Sequence, residues 1–183
     1  MKIKILQPIF FLFFLSSLLS AQIQYVSFGG TIGGGEISGN HSPVTCLNTN
    51  IFIDVIPWFS DGMFSFRTGF QYAQKIEKFL PENRTNRYYP FIKSYWTKGV
   101  LKNLLSETFY VEGGVGLTIL NDRVFNDKNI WNTGVSFNAL GAIDLRKPNS
   151  DGISLGLGID YGLTFTGTNT DYYSIYAQIQ YYP

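Results

Sequence analysis

The sequence Phe109-Tyr-Val-Glu-Gly-Gly-Val-Gly-Leu-Thr-Ile119 alternates between two kinds of residue. Every second residue from Phe109 onward is apolar or glycine, whereas the residues between them are small or polar and include Glu112. Successive side chains of a β-strand point to opposite faces. The stretch therefore predicts a strand with one apolar face and one small, polar face that carries a carboxylate.

Seven further segments repeat this alternation, and stretches rich in Gly, Asn, Asp, Ser and Pro separate them. The content of 16 Phe, 12 Tyr and 3 Trp favours strands over helices. A chain of 183 residues is long enough for one domain. We therefore predict an all-β domain over residues 22–183. Its eight strands are predicted at residues 22–33, 46–58, 62–73, 88–100, 109–119, 131–146, 153–166 and 172–182.

Residues 1–21 have the features of a secretory signal peptide. Lys2 and Lys4 precede an apolar run, and Ser20-Ala21 provides a small-residue exit. The run is roughly half of the ~20 residues that a membrane-spanning helix needs, which favours cleavage after Ala21 over a retained anchor. Loss of the two lysines changes the formal net charge from +1 to −1. This charge argues against a nucleic-acid partner, which requires a basic surface.

The second and third predicted strands flank the turn sequence Phe59-Ser-Asp-Gly62. When the chain is folded about the centre of this turn, Asp54 lies opposite Arg67 and Val55 lies opposite Phe66. A slip of one residue would mix charged and apolar side chains on each face. The two strands therefore predict one register.

The distribution of charge distinguishes two kinds of barrel. The polar faces of the predicted strands carry Gly, Ser, Thr and Asn with a few charges of both signs, whereas the apolar faces carry almost none. This arrangement is typical of a transmembrane barrel, which has a polar lumen and an outer surface in contact with lipid. Such a barrel must be closed, because lipid cannot satisfy the backbone groups of a free edge.

Two sets of residues follow from this interpretation. The predicted charge network of the lumen comprises Asp54, Arg67, Glu112, Asp144 and Asp160. The residues predicted to face lipid include Val111, Val115, Leu117, Leu155, Leu157 and Ile159. Aromatic residues near the strand ends are predicted to form girdles at the membrane interfaces. They are Trp58, Phe59, Trp96, Trp131, Tyr172, Tyr173, Tyr181 and Tyr182.

The signal sequence, the eight alternating strands and the last strand, Tyr172-Tyr-Ser-Ile-Tyr-Ala-Gln-Ile-Gln-Tyr-Tyr182, resemble the small outer-membrane barrels of the OmpA/OmpX type. The resemblance implies a closed antiparallel eight-stranded transmembrane up-and-down β-barrel of a Gram-negative-type bacterium. It further implies a monomer without a cofactor. The alternation of short and long connections between the predicted strands predicts that both termini lie in the periplasm. The implied partners are outer-membrane lipids, lipopolysaccharide and the barrel-assembly machinery. The aromatic last strand is similar to the signal that this machinery reads, although Pro183 follows it here.

Eight strands leave just enough room inside a barrel for side chains. We therefore predict a filled lumen and a structural or surface-interacting role in adhesion or membrane integrity, without enzymatic activity. This role would be carried by predicted loops at residues 33–43, 74–87 and 121–129. The lumen charges also admit a carboxylate site for acid–base chemistry or a metal, but a network of ion pairs is the favoured interpretation.

Two other hypotheses remain open. One is an outer-membrane lipid A-modifying hydrolase or acyltransferase that uses His41, the only histidine. A nucleophile and its base must converge with a third group, and the neighbours of His41 in sequence do not establish this arrangement. The other hypothesis is a soluble secreted barrel with an apolar ligand inside, which requires Val111, Val115, Leu155 and Ile159 to point inward.

Overall fold

The computed structural model describes residues 23–39, 42–80, 91–123, 130–147, 150–167 and 169–183. Each strand pairs antiparallel with the next in sequence, and the last pairs with the first. The predicted closed, antiparallel, eight-stranded up-and-down β-barrel is thus confirmed. The strands are β1 (Ile23–Ser38), β2 (Val44–Pro57), β3 (Phe64–Lys75), β4 (Phe91–Leu104), β5 (Phe109–Asp122), β6 (Ile130–Asp144), β7 (Gly152–Thr164) and β8 (Asp171–Tyr182).

The hairpin of β2 and β3 has the predicted register. Asp54 pairs with Arg67, and Val55 pairs with Phe66. A 3-10 turn at Trp58–Ser60 precedes Asp61 and Gly62, which have φ angles of 45° and 80°. The positive φ of Gly62 suits a residue without a side chain.

The first predicted loop is wrong over most of its length. β1 continues through Gly33-Gly34-Gly35 to Ser38, so that residues 39–43 connect β1 to β2. A Cβ atom on Gly33 or Gly35 would collide with the backbone of β8. The glycines therefore allow β1 and β8 to approach closely, and the connection between β1 and β2 is shorter than the predicted loop at residues 33–43.

The other predicted loops begin later than expected, because β3 extends to Lys75 and β5 to Asp122. A 3-10 turn at Ile76–Phe79 follows β3. The remaining parts of these loops and the predicted signal peptide lie outside the described residues. No helix in the described part of the chain has the length and apolar character needed to cross a membrane.

We call the two ends of the barrel the loop end, where β1, β3, β5 and β7 finish, and the turn end, where β2, β4, β6 and β8 finish. Inward side chains from six strands form a buried apolar layer near the loop end. We call this set the apolar layer; it comprises Ile37, Cys46, Ala73, Ile92, Leu120 and Tyr172. A second buried cluster contains Tyr110, Leu140, Ala142 and Tyr176.

Large aromatic side chains also occupy the barrel interior. Trp96, Tyr172 and Tyr182 are buried, so their predicted place in an interfacial girdle is wrong. Inward glycines make room for such rings: the ring of Tyr172 occupies the space beside Gly162, and that of Trp96 the space beside Gly69. Trp58, Trp131, Tyr173 and Tyr181 are exposed on the outer side.

Candidate functional site

Three charged side chains meet in the interior of the barrel. Arg67 on β3 lies between Asp54 on β2 and Glu112 on β5, and all three are almost completely buried. Arg67 Nη2 donates to Asp54 Oδ2 at 2.7 Å, and Arg67 Nη1 donates to Glu112 Oε2 at 2.9 Å. Gln180 Nε2 also donates to Asp54 Oδ2, at 3.1 Å. We call Asp54, Arg67 and Glu112 the Arg67 cluster. Such charge-assisted hydrogen bonds are stronger than neutral ones.

A second ion pair crosses the lumen. Lys98 Nζ on β4 donates to Asp160 Oδ1 on β7 at 2.6 Å, and both side chains are buried. The ammonium also lies 4.8 Å from the centre of the Trp96 ring. Lys98 was not among the predicted lumen residues. The apolar and polar side chains of β4 do not alternate regularly, so the sequence does not show which residues of this strand point inward. The position of Lys98 two residues from Trp96 and four from Ser94 is the signal that could have placed it inward.

Asp144 lies apart from the other predicted lumen charges, at the turn end. Its Oδ2 atom accepts a hydrogen bond from Arg146 Nη2 at 2.6 Å and lies 3.9 Å from Lys102 Nζ. The hydrogen bonds that Arg146 donates to this carboxylate raise the pKa of Arg146. Arg146 and Lys102 stack on the rings of Tyr182 and Tyr110, at 3.7 and 3.6 Å. The predicted network is therefore distributed over two levels of the barrel.

The residues that the sequence assigns to the apolar face point away from the lumen. Leu117 and Leu157 are 70% exposed, Ile159 is 58% exposed, and Val115 is 55% exposed. Leu155 is also exposed, whereas Val111 is half-buried. The hypothesis of a soluble barrel with an apolar ligand inside required these side chains to point inward, and the structure does not show this orientation.

Threonine hydroxyl groups on the outer surface form hydrogen bonds with neighbouring groups of the barrel. Thr68 Oγ1 donates to the Trp96 carbonyl oxygen at 3.1 Å and lies 3.1 Å from Thr97 Oγ1. Thr49 Oγ1 donates to the Tyr72 carbonyl oxygen at 3.3 Å. Paired hydroxyls are less costly in an apolar environment than unpaired ones.

Little free space remains between the lumen side chains. A cavity beside the Lys98–Asp160 pair has a volume of about 20 Å³. This volume suffices for about one water molecule. The described residues contain no group of three or more His, Cys, Asp and Glu side chains that could hold a metal ion. His41 lies outside the described residues, so the hydrolase hypothesis stays a prediction.

Solved structures with the same fold include a Neisserial protein and a protein of Yersinia pestis. Neisserial surface protein A has a TM-score of 0.63 and 10% sequence identity, over 85% of this chain and 96% of that chain. Ail, the attachment invasion locus protein of Yersinia pestis, solved with the heparin analogue sucrose octasulfate, has a TM-score of 0.56 and 8% identity, over 86% of this chain and 97% of that chain. At such low identities the likeness shows the fold alone. The predicted resemblance to small barrels of the OmpA/OmpX type is thereby confirmed at the level of the fold. No protein-family model matches the chain, and no curated protein sequence matches it significantly.

Proposed function

We propose that this chain is an integral outer-membrane β-barrel protein with a filled polar lumen and a structural or surface-interacting role. The observation that carries the proposal is the polarity of the barrel, which is apolar outside and charged inside. Soluble monomers rarely expose contiguous apolar patches larger than a few hundred Å². Here every strand contributes exposed apolar side chains, for example Phe28, Ile51, Phe66, Tyr95, Leu117, Phe137, Leu157 and Ile175.

The filled lumen supports a role other than transport through a wide pore. The Arg67 cluster, the Lys98–Asp160 pair and the apolar layer occupy successive parts of the interior. The proposed contacts of the apolar outer surface are outer-membrane lipids and, in the outer leaflet, lipopolysaccharide. The barrel-assembly machinery is the proposed partner of β8 during insertion. We expect a monomer without enzymatic activity.

The proposed surface role lies at the loop end, where residues 39–43, 76–90 and 123–129 connect the strands. The names of Neisserial surface protein A and of the attachment invasion locus protein refer to a surface and to attachment, and this supports adhesion as the more specific role. β1 begins and β8 ends at the turn end, which the proposal assigns to the periplasm.

Fractionation of cells that express the full chain tests the proposal. We expect the protein in the outer-membrane fraction, released by detergent but not by high salt, and with a gel mobility that changes on boiling. Recovery as a soluble periplasmic protein without detergent would contradict the membrane assignment.

Orientation requires a separate measurement. An epitope inserted between residues 76 and 90 should bind antibody on intact cells, whereas the same epitope at Ser150 should bind only after permeabilisation. The reverse result would place the termini outside. Binding of epithelial cells or matrix by bacteria that display the chain then tests adhesion itself.

A further inference from the structure

We propose that the lumen contains a specific binding site for one water molecule, between Asn138 and the Lys98–Asp160 ion pair. The site is the cavity of about 20 Å³, whose walls include Asn50, Lys98, Asn138 and Asp160. A buried water molecule requires about this much space and two to four polar partners. Size and lining therefore both suit water.

The polar groups of the cavity lack partners that water would provide. Asn138 Oδ1 is buried and has no hydrogen-bond partner. Lys98 Nζ, on a side chain that is 4% exposed, has Asp160 Oδ1 as its one hydrogen-bond acceptor among the described residues. An ammonium group carries three donors. A water molecule that accepts from Lys98 and donates to Asn138 would give each residue one further hydrogen bond.

The chemistry of the surrounding atoms identifies water rather than an anion as the ligand. Among the described residues that line the cavity, the buried side-chain atom without a partner is an amide oxygen, Asn138 Oδ1. An amide oxygen only accepts hydrogen bonds. It therefore needs a donor, which an unprotonated anion cannot be.

Buried apolar side chains lie on both sides of the site along the barrel axis. The apolar layer lies towards the loop end, and the cluster of Tyr110, Leu140, Ala142 and Tyr176 lies towards the turn end. A water molecule that leaves along the axis must pass these side chains. We therefore infer a long-lived internal water molecule that is held within the barrel and does not form part of a continuous aqueous path.

Crystal structures of the wild-type chain and of Asn138→Leu test the proposal. Leucine has the same number of side-chain heavy atoms as asparagine but cannot accept a hydrogen bond. We expect one water peak within hydrogen-bond distance of Asn138 Oδ1 in the wild type and none in the variant. A wild-type cavity without density, or with density for an ion only, would overturn the assignment.

Thermal unfolding in detergent gives an independent readout. If water is bound, Asn138→Leu should lower the unfolding midpoint, because Lys98 loses its second acceptor. A raised midpoint would refute the proposal, because the substitution would then have removed an unpaired polar group from a dry cavity. Asn103→Leu, at an exposed position of β4, controls for the loss of an asparagine from a strand.

A third measurement needs no variant and covers the case in which Asn138→Leu does not fold. Water–protein cross-relaxation in the folded wild-type barrel should connect a slowly exchanging water to the side-chain amide of Asn138. Absence of this cross-peak in a chain whose gel mobility still changes on boiling would contradict the water site while leaving the proposed membrane function intact.

Discussion

The most constrained residue of the lumen is Arg67. Its guanidinium group is buried and bonds to carboxylates from two other strands. The Asp54–Arg67 pair was predictable because both residues lie in one hairpin, whose turn and apolar face fix the register. The Lys98–Asp160 pair was not predictable, since β4 and β7 are not neighbours and meet only after the barrel has closed.

The first prediction concerns Arg67→Met. The substitution leaves Asp54 and Glu112 as buried carboxylates without their cation, and should lower the free energy of unfolding by about 3–5 kcal/mol. The measurement is urea unfolding of the chain in lipid vesicles. The triple variant Arg67→Met, Asp54→Asn, Glu112→Gln should recover much of the loss, because no uncompensated charge then remains.

Lys75→Met is the matched control for Arg67→Met. Lys75 Nζ lies 3.0 Å from Glu77 Oε2, but this pair is exposed to solvent. Exposed ion pairs contribute about 0–1 kcal/mol. Equal losses for Lys75→Met and Arg67→Met would show that burial of the Arg67 cluster does not determine its contribution to stability.

At the scale of the strand, glycine residues explain why one strand was predicted correctly and another was not. In β7 the glycines alternate with apolar residues, and the strand was predicted correctly. In β1 the consecutive glycines Gly33-Gly34-Gly35 resemble a loop, and the predicted strand therefore ended too early. Composition alone cannot distinguish a flexible glycine from one against which a neighbouring strand packs. The distinction depends on β8, which reaches β1 only through closure of the barrel.

Alanine at two glycines makes this distinction measurable. A Cβ atom at Gly158 would lie 2.6 Å from the Ala139 carbonyl oxygen and 2.8 Å from Tyr176 Cζ. We expect Gly158→Ala to destabilise the barrel by about 1–3 kcal/mol through overpacking. A Cβ atom at Gly113 meets nothing within 4 Å, so Gly113→Ala should be neutral or stabilising by up to about 1 kcal/mol. Unfolding in urea compares the two, and equal effects would contradict the described interior packing.

An arginine on the outer face tests the membrane interpretation of a single strand. Leu157 lies in the middle of β7, whereas Leu145 lies just beyond the end of β6, and both are exposed. Arginine at the bilayer midplane costs about 2–4 kcal/mol, and near the interface about 0–1 kcal/mol. Leu157→Arg should therefore destabilise the vesicle-embedded barrel far more than Leu145→Arg. Similar unfolding free energies for the two variants would contradict the proposed depth of Leu157.

At the scale of the whole molecule, the proposed membrane location depends on which solvent each face of the strands meets. Alternation in eight segments predicted the number of strands. Closure was predicted because lipid cannot satisfy the backbone groups of a free edge, and the antiparallel order was implied by the resemblance to small outer-membrane barrels. Alternation did not predict the apolar layer, because Ile37, Ile92 and Leu120 interrupt an otherwise polar face. Their burial results from the convergence of six strands near the loop end.

The most direct test of the proposed polarity is the accessibility of spin labels along β7. Single cysteines at Leu155, Leu157 and Ile159, in a Cys46→Ser background, would be labelled and reconstituted into lipid vesicles. Labels at these positions should collide with oxygen dissolved in the bilayer and be shielded from a water-soluble nickel complex. High accessibility of the three outward positions to the nickel complex would contradict the account.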